Sequence, residues 1–153
     1  MAATTTGEAR LAALLARGVG RALAQLGYAG LLEVPLANGR RADVMALGRG
    51  GEVAIVEIKS SLADFRADRK WLDYWEFCDQ LYFAVAADFP RDLIPAECGL
   101  IVADPFGAAV LRPSPVRPLA AARRRAVTLR FALLGAHRLR RALDPGAGDG
   151  AVL

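Results

Sequence analysis

Two runs decide the reading of this chain: Arg41-Ala42-Asp43-Val44-Met45-Ala46-Leu47 and Glu52-Val53-Ala54-Ile55-Val56-Glu57-Ile58-Lys59-Ser60, joined by a turn carrying Gly48, Gly50 and Gly51. Both are dominated by β-branched and apolar residues, as expected of adjacent strands with glycine punctuation between them. Asp43, Glu57 and Lys59 interrupt the apolar pattern, and a charge in an otherwise buried strand is costly unless partnered. Side chains alternate along a strand, so Glu57 and Lys59 share a face. A three-residue loop, Arg49 to Gly51, puts Asp43 opposite Glu57, with Cα atoms about 4.5–5.5 Å apart. A loop of two or four residues puts the acids on opposite faces unless a bulge intervenes. The sequence leaves that register open.

Two close carboxylates repel unless a cation lies between them. Mg²⁺ takes oxygen ligands and is commonly held by one or two carboxylates with water and phosphate. An ammonium at Lys59 would stand beside the attacking water or the developing phosphorane charge. These three groups form a working set for metal-assisted phosphodiester hydrolysis.

Asp43 followed by Glu57-Ile58-Lys59 resembles the PD-(D/E)xK nuclease signature. The segments after it resemble the MmcB-type DNA-repair proteins of that superfamily: Val56 to Ser61, Asp64 to Trp71, and Tyr74 to Val85 (YWEFCDQLYFAV). The resemblance spans roughly residues 8 to 112, and Ala42 stands where the signature's name has proline. It implies an α/β fold with an αβββαβ core, a mixed sheet flanked by helices. Asp43, Glu57 and the Ile58 carbonyl would hold Mg²⁺ or Mn²⁺, and Lys59 would orient or activate water. Glu8 on the first helix, and Lys70 and Tyr74 on a later one, are auxiliary candidates. For Glu8 the plainer reading is an acid favoured by a helix dipole.

The chain has 153 residues, a single-domain length. No apolar run approaches the 18 or so residues of a membrane span. The expected domains are a nuclease-like unit at 1–112, a linker and basic helix at 113–143, and a disordered tail at 144–153. Met1 to Gly18 is amphipathic and reads as part of the first helix rather than a transit peptide. Cys78 and Cys98 lack metal-type spacing and suit reduced, buried thiols in a cytoplasmic protein. With His137 as the only histidine, a Ser-His-Asp triad is disfavoured.

The net charge of +4 conceals an asymmetry. Residues 1–111 hold 11 Lys/Arg against 14 Asp/Glu, whereas residues 112–143 hold nine Arg and no acid. Apolar periodicity predicts a first helix over 8–26 with Thr6 as N-cap and Gly27 as stop. Strands are expected at Leu31–Ala37, after which Asn38-Gly39 signals a hairpin, and at Gln80–Ala86, Gly99–Ala103 and Ala108–Arg112. Glu33 is expected to be an exposed strand residue or a partner of Arg40 or Arg41. Leu62 to Cys78 reads as helical, in one piece or two, with Ser61 capping, Trp71, Trp75 and Cys78 on one face, and Asp64, Asp68, Asp73, Glu76 and Asp79 on a solvated one. Pro113 to Pro118 reads as a linker. Leu119 to Leu143 reads as a long helix, packed by Val127, Phe131, Leu134, Leu139 and Leu143. Arg123 to Arg125, Arg130, Arg138, Arg140 and Arg141 leave a basic face that is either a footprint for DNA phosphates, with Arg123, Arg124, Arg125 and Arg130 as the named ligands, or generic solubilising charge.

Three functions follow. The first is a metal-dependent deoxyribonuclease in DNA repair, with DNA and other repair proteins as partners, no membrane, and a homodimer as one outcome. The second is a catalytically silent nuclease-fold DNA-binding or adaptor protein. The third is purely structural: Asp43 and Lys59 as a cross-strand ion pair with Glu57 solvated.

Overall fold

A computed structural model describes residues 2–67 and 69–146, with the backbone alone at 2–5 and 67. Helix α1 (Ala2–Gln25) leads into β1 (Ala29–Pro35), β2 (Arg41–Leu47) and β3 (Val53–Lys59). A short α2 (Leu62–Ala67) and a 3₁₀ helix (Lys70–Phe77) precede β4 (Gln80–Val85). Then come β5 (Gly99–Ala103), β6 (Ala108–Arg112) and α3 (Ala121–Leu143). The six strands lie in sequence order in one sheet. The β3–β4 and β4–β5 pairs are parallel and the others antiparallel. This is a mixed α/β sheet flanked by helices, with a C-terminal helix, in the expected element order.

Each face of the sheet buries its own core. On one side Leu15, Val19 and Leu23 of α1 pack on Val44, Val56, Ile58, Ala84 and Ile101. On the other, Met45, Ile55, Leu81 and Phe83 meet Tyr74 and Phe77 of the 3₁₀ helix and Val127 of α3. Edge-to-face contacts of Phe65 and Trp71 with Phe83 seat α2 and the 3₁₀ helix on the central strands. α1 stops at Gly27, whose φ of 87° suits a left-handed C-terminal turn. Gly18 is required for a different reason. A Cβ there would lie 1.8 Å from the Asp104 carbonyl oxygen, so the helix can approach the β5–β6 turn only without a side chain.

Several expectations are corrected. α1 begins at Ala2, so Thr6 lies inside the helix and is not its N-cap. The segment after Lys59 breaks into two helices, and the second is 3₁₀. With three residues per turn, Trp71, Tyr74 and Phe77 repeat at i, i+3 toward the core, and Trp75 and Cys78 meet the same core, so the aromatic cluster packs inward as expected. Asp79 is not solvated but 4 % exposed. α3 starts at Ala121, and its Leu139 and Leu143 are 61 % and 78 % exposed instead of packed.

Residues 113–118 do not form a free linker. The Leu81 N–H donates to Ser114 Oγ at 3.0 Å, and the Arg117 N–H donates to the Asp79 carbonyl at 2.8 Å. Of the expected tail, Asp144 caps α3 through its N–H on the Arg140 carbonyl, and 147–153 lie outside the described residues, as does Asp68. Among the described residues no helix is long and apolar enough to cross a membrane.

Candidate active site

The loop between β2 and β3 settles the register. The Gly48 N–H donates to the Glu52 carbonyl at 2.8 Å, closing a three-residue loop in which Gly51 has a φ of 90°. A glycine at that left-handed position is what such hairpin loops favour. The paired residues then run from Leu47↔Val53 to Val44↔Val56, and one further step places Asp43 opposite Glu57.

At that step the ladder opens and carboxylates fill the gap. The Asp43 N–H donates to Glu57 Oε1 at 3.0 Å, and the Ile58 N–H donates to Asp43 Oδ2 at 2.8 Å. Each acid thus accepts from the backbone of the opposite strand. The opening coincides with a slip in side-chain alternation. Leu31 and Val34 of β1, and Ala42 and Met45 of β2, all meet the core on the α3 side, although each pair is three residues apart. Strict alternation would send such pairs to opposite faces. Between them lie Asp43 and Glu33, whose φ of 50° makes it the one non-glycine residue with positive φ among those described.

Asp43 is half-buried, and Glu57 and Lys59 are only 4 % and 5 % exposed. Burial pushes the Asp43 carboxyl above its ordinary pKa; the Ile58 N–H, the Lys59 and Arg41 charges and the hydrogen bond with Glu57 oppose this without cancelling it. Two adjoining acids, one reluctant to ionise, are a donor set that a hard divalent cation could take. Among the described residues no group of three or more His, Cys, Asp or Glu side chains converges, so the candidate centre is a two-carboxylate pair. Lys59 Nζ is 3.5 Å from Asp64 Oδ2 on α2. Ser61 Oγ caps that helix by accepting from the Asp64 N–H at 3.1 Å, so the turn after β3 positions the lysine's counterion. The third reading is corrected here, because Glu57 is buried rather than solvated.

The auxiliary candidates divide. The Tyr74 hydroxyl donates to the Arg41 carbonyl at 3.1 Å, two residues from Asp43. Lys70 is exposed at the start of the 3₁₀ helix on the same side of the sheet. Glu8 is half-buried on α1, which packs on the other face. Glu33 is exposed and pairs with Arg41 at 3.7 Å, one of its expected partners.

The arginines of α3 are placed differently from the expected DNA footprint. Arg124 makes a two-pronged bond to Asp79, at 2.7 and 2.6 Å, and donates to the Gly51 carbonyl. Burial raises the Asp79 pKa, but the Arg124 hydrogen bonds and the Val53 and Leu119 N–H groups outweigh it and hold the carboxyl down to about 2. Arg130 donates to the Pro35 carbonyl at 3.0 Å, and the Arg123 guanidinium stacks 4.9 Å from the Phe77 ring centre. Arg138, expected only as part of the basic face, donates to the Leu32 and Glu33 carbonyls. Arg125 is exposed. Arg124 and Arg130 are thus tied to the fold, while Arg123 and Arg125 lie exposed on the helix. Cys78 and Cys98 are buried free thiols, and burial pushes Cys98 up to about 12.

The family model of MmcB-like DNA repair proteins matches residues 1–146. The chain belongs to the MmcB-like DNA repair protein family. Among solved structures it is similar to the SPO1766 protein of unknown function from Silicibacter pomeroyi. The two share 46 % identity with a TM-score of 0.85, over 90 % of this chain and 94 % of the other. No curated protein matches it.

Proposed function

We propose that this protein is a metal-dependent deoxyribonuclease of the PD-(D/E)xK kind acting in DNA repair. The observation that carries the reading is the opened ladder, in which Asp43 and Glu57 lie between the strands with Lys59 two residues on. Membership of a DNA-repair family supports the substrate class.

Asp43 and Glu57, with the Ile58 carbonyl, would hold Mg²⁺ or Mn²⁺. When bound, such an ion polarises a phosphoryl oxygen and lowers the pKa of its water. The chain's own contribution is placement. The Ile58 N–H fixes one Asp43 oxygen, and the Asp43 N–H fixes one Glu57 oxygen. Lys59, held by Asp64, supplies a positive charge for the phosphate or the developing negative charge on it.

The test is cleavage of plasmid, nicked, branched and single-stranded DNA with Mg²⁺ or Mn²⁺. Glu57→Ala and Lys59→Ala should abolish cutting while the fold and DNA binding persist. If both variants cut like the unaltered protein, the site assignment is wrong. Salt-dependent DNA binding with no cutting under any metal would instead establish the silent adaptor.

A further inference from the structure

We infer that Arg138 is a positioning residue for the acid pair: its guanidinium locks the left-handed turn at Glu33 and so holds Asp43 in the opening against Glu57. The inference rests on the proposed centre only for its consequences on metal and DNA. Its geometric part can be read in metal-free protein.

The Leu32 and Glu33 carbonyls belong to the two peptide groups on either side of the Glu33 Cα. A planar fork with fixed donor spacing that grips both fixes the backbone angles of the residue between them. Glu33 needs such a grip, because residues with a Cβ seldom adopt a φ of 50°. The sheet register sets Glu33 between the pairs Leu32↔Val44 and Val34↔Ala42, and therefore beside Asp43. The slip in alternation occurs in both strands at this step, so the turn of one strand and the aim of the other's carboxylate are a single feature. Further grips bracket it: Arg130 on the Pro35 carbonyl and the Tyr74 hydroxyl on the Arg41 carbonyl. β1 is an edge strand, and α3 meets its outward carbonyls with arginine donors. The basic helix is in this respect a brace for the site.

The Ile58 and Asp43 amides report on the geometry, since both donate to carboxylates of the pair. Amide exchange in ¹⁵N-labelled, metal-free full chain is the measurement. Arg138→Ala should lower protection of both amides at least tenfold while Val53, held by Asp79, changes less than twofold. Mn²⁺ affinity should fall at least tenfold in the same variant. Adding Glu33→Gly should restore Ile58 protection to within threefold, because glycine adopts the turn without a clamp. Arg130→Ala should leave Ile58 within twofold. Should Arg138→Ala not fold, Arg138→Gln, which keeps a single donor group, is read the same way.

An unchanged Ile58 amide, a uniform loss across the sheet including Val53, or failure of Glu33→Gly to rescue would each overturn the inference. The outcomes separate from those of the nuclease reading. If Ile58 responds to Arg138 but Glu57→Ala still cuts DNA, the brace stands and the centre falls.

Discussion

The opening between β2 and β3 and the helix α3 are the two charged regions of this molecule, and they use charge in opposite ways. In the opening, like charges are brought together: Asp43 and Glu57 meet, and burial resists ionisation of Asp43. On α3, arginine donors are taken up by the chain itself: Arg124 pairs with Asp79, and Arg130 and Arg138 donate to strand carbonyls. An arrangement that leaves a charge conflict within the fold has a use for an outside ion. One whose donors are satisfied within the fold has the signature of structure. The difference lies in the partners rather than in the density of charged residues.

The largest expected effect tests the first half of that contrast. Asp43→Ala should weaken Mn²⁺ binding, read by calorimetry, by more than ~100-fold, above the 10–100-fold usual for residues that only support a ligand. A smaller loss would mean that the pair is not the metal centre. The second half is tested by Arg124→Ala, which strips a buried carboxylate of its partner. It should cost about 1–3 kcal/mol in denaturant unfolding, because the Val53 and Leu119 N–H groups still hold the carboxylate. Loss of DNA binding without loss of stability would return Arg124 to the phosphate-binding role.

The pH dependence sharpens the same comparison. Asp79 has a lowered folded pKa of about 2, so its contribution is present above the ordinary carboxylate range and is lost as pH falls from about 4 towards 2. Asp79→Asn should remove that acid-limb dependence from the unfolding free energy. Asp43 carries the opposite sign. Its raised pKa makes the metal-free fold lose stability as pH rises past the ordinary carboxylate value. Asp43→Asn, which keeps an acceptor for the Ile58 N–H, should therefore stabilise metal-free protein at neutral pH in denaturant unfolding. Added Mn²⁺ should reverse the order of the two proteins. The smallest effect belongs to exposed Arg125: its replacement by Ala should change stability by less than about 0.5 kcal/mol. If it contacts DNA, the salt slope of binding should fall by about 1.

Much of the fold was legible because it depends on local patterns. Glycine punctuation marked the first two hairpins, the 3.6-residue apolar period marked α1, and Ser61 ahead of Asp64 marked the start of α2. The acid pair was legible too, subject to a loop length that the sequence left open and the Gly48–Glu52 hydrogen bond decides. Asp79 was misread because its neighbours are acids with basic companions nearby, a pattern that ordinarily means a solvated face. Its partner lies 45 residues away. The aromatic cluster packs on the core as expected, but the 3₁₀ form of its helix was not legible, because both periods bring these residues inward.

The chain by itself determined its strands, their order of appearance and the acids and amine gathered near one turn, since alternation, turn chemistry and loop length act over a few residues. Only the tertiary structure decided what the arginines do. A strand-edge carbonyl has no residue-type signature, and its donor can come from anywhere in the chain. The left-handed turn at Glu33 belongs to the same class: nothing in its neighbours calls for it, and the fork of Arg138, 105 residues on, is what makes it tenable.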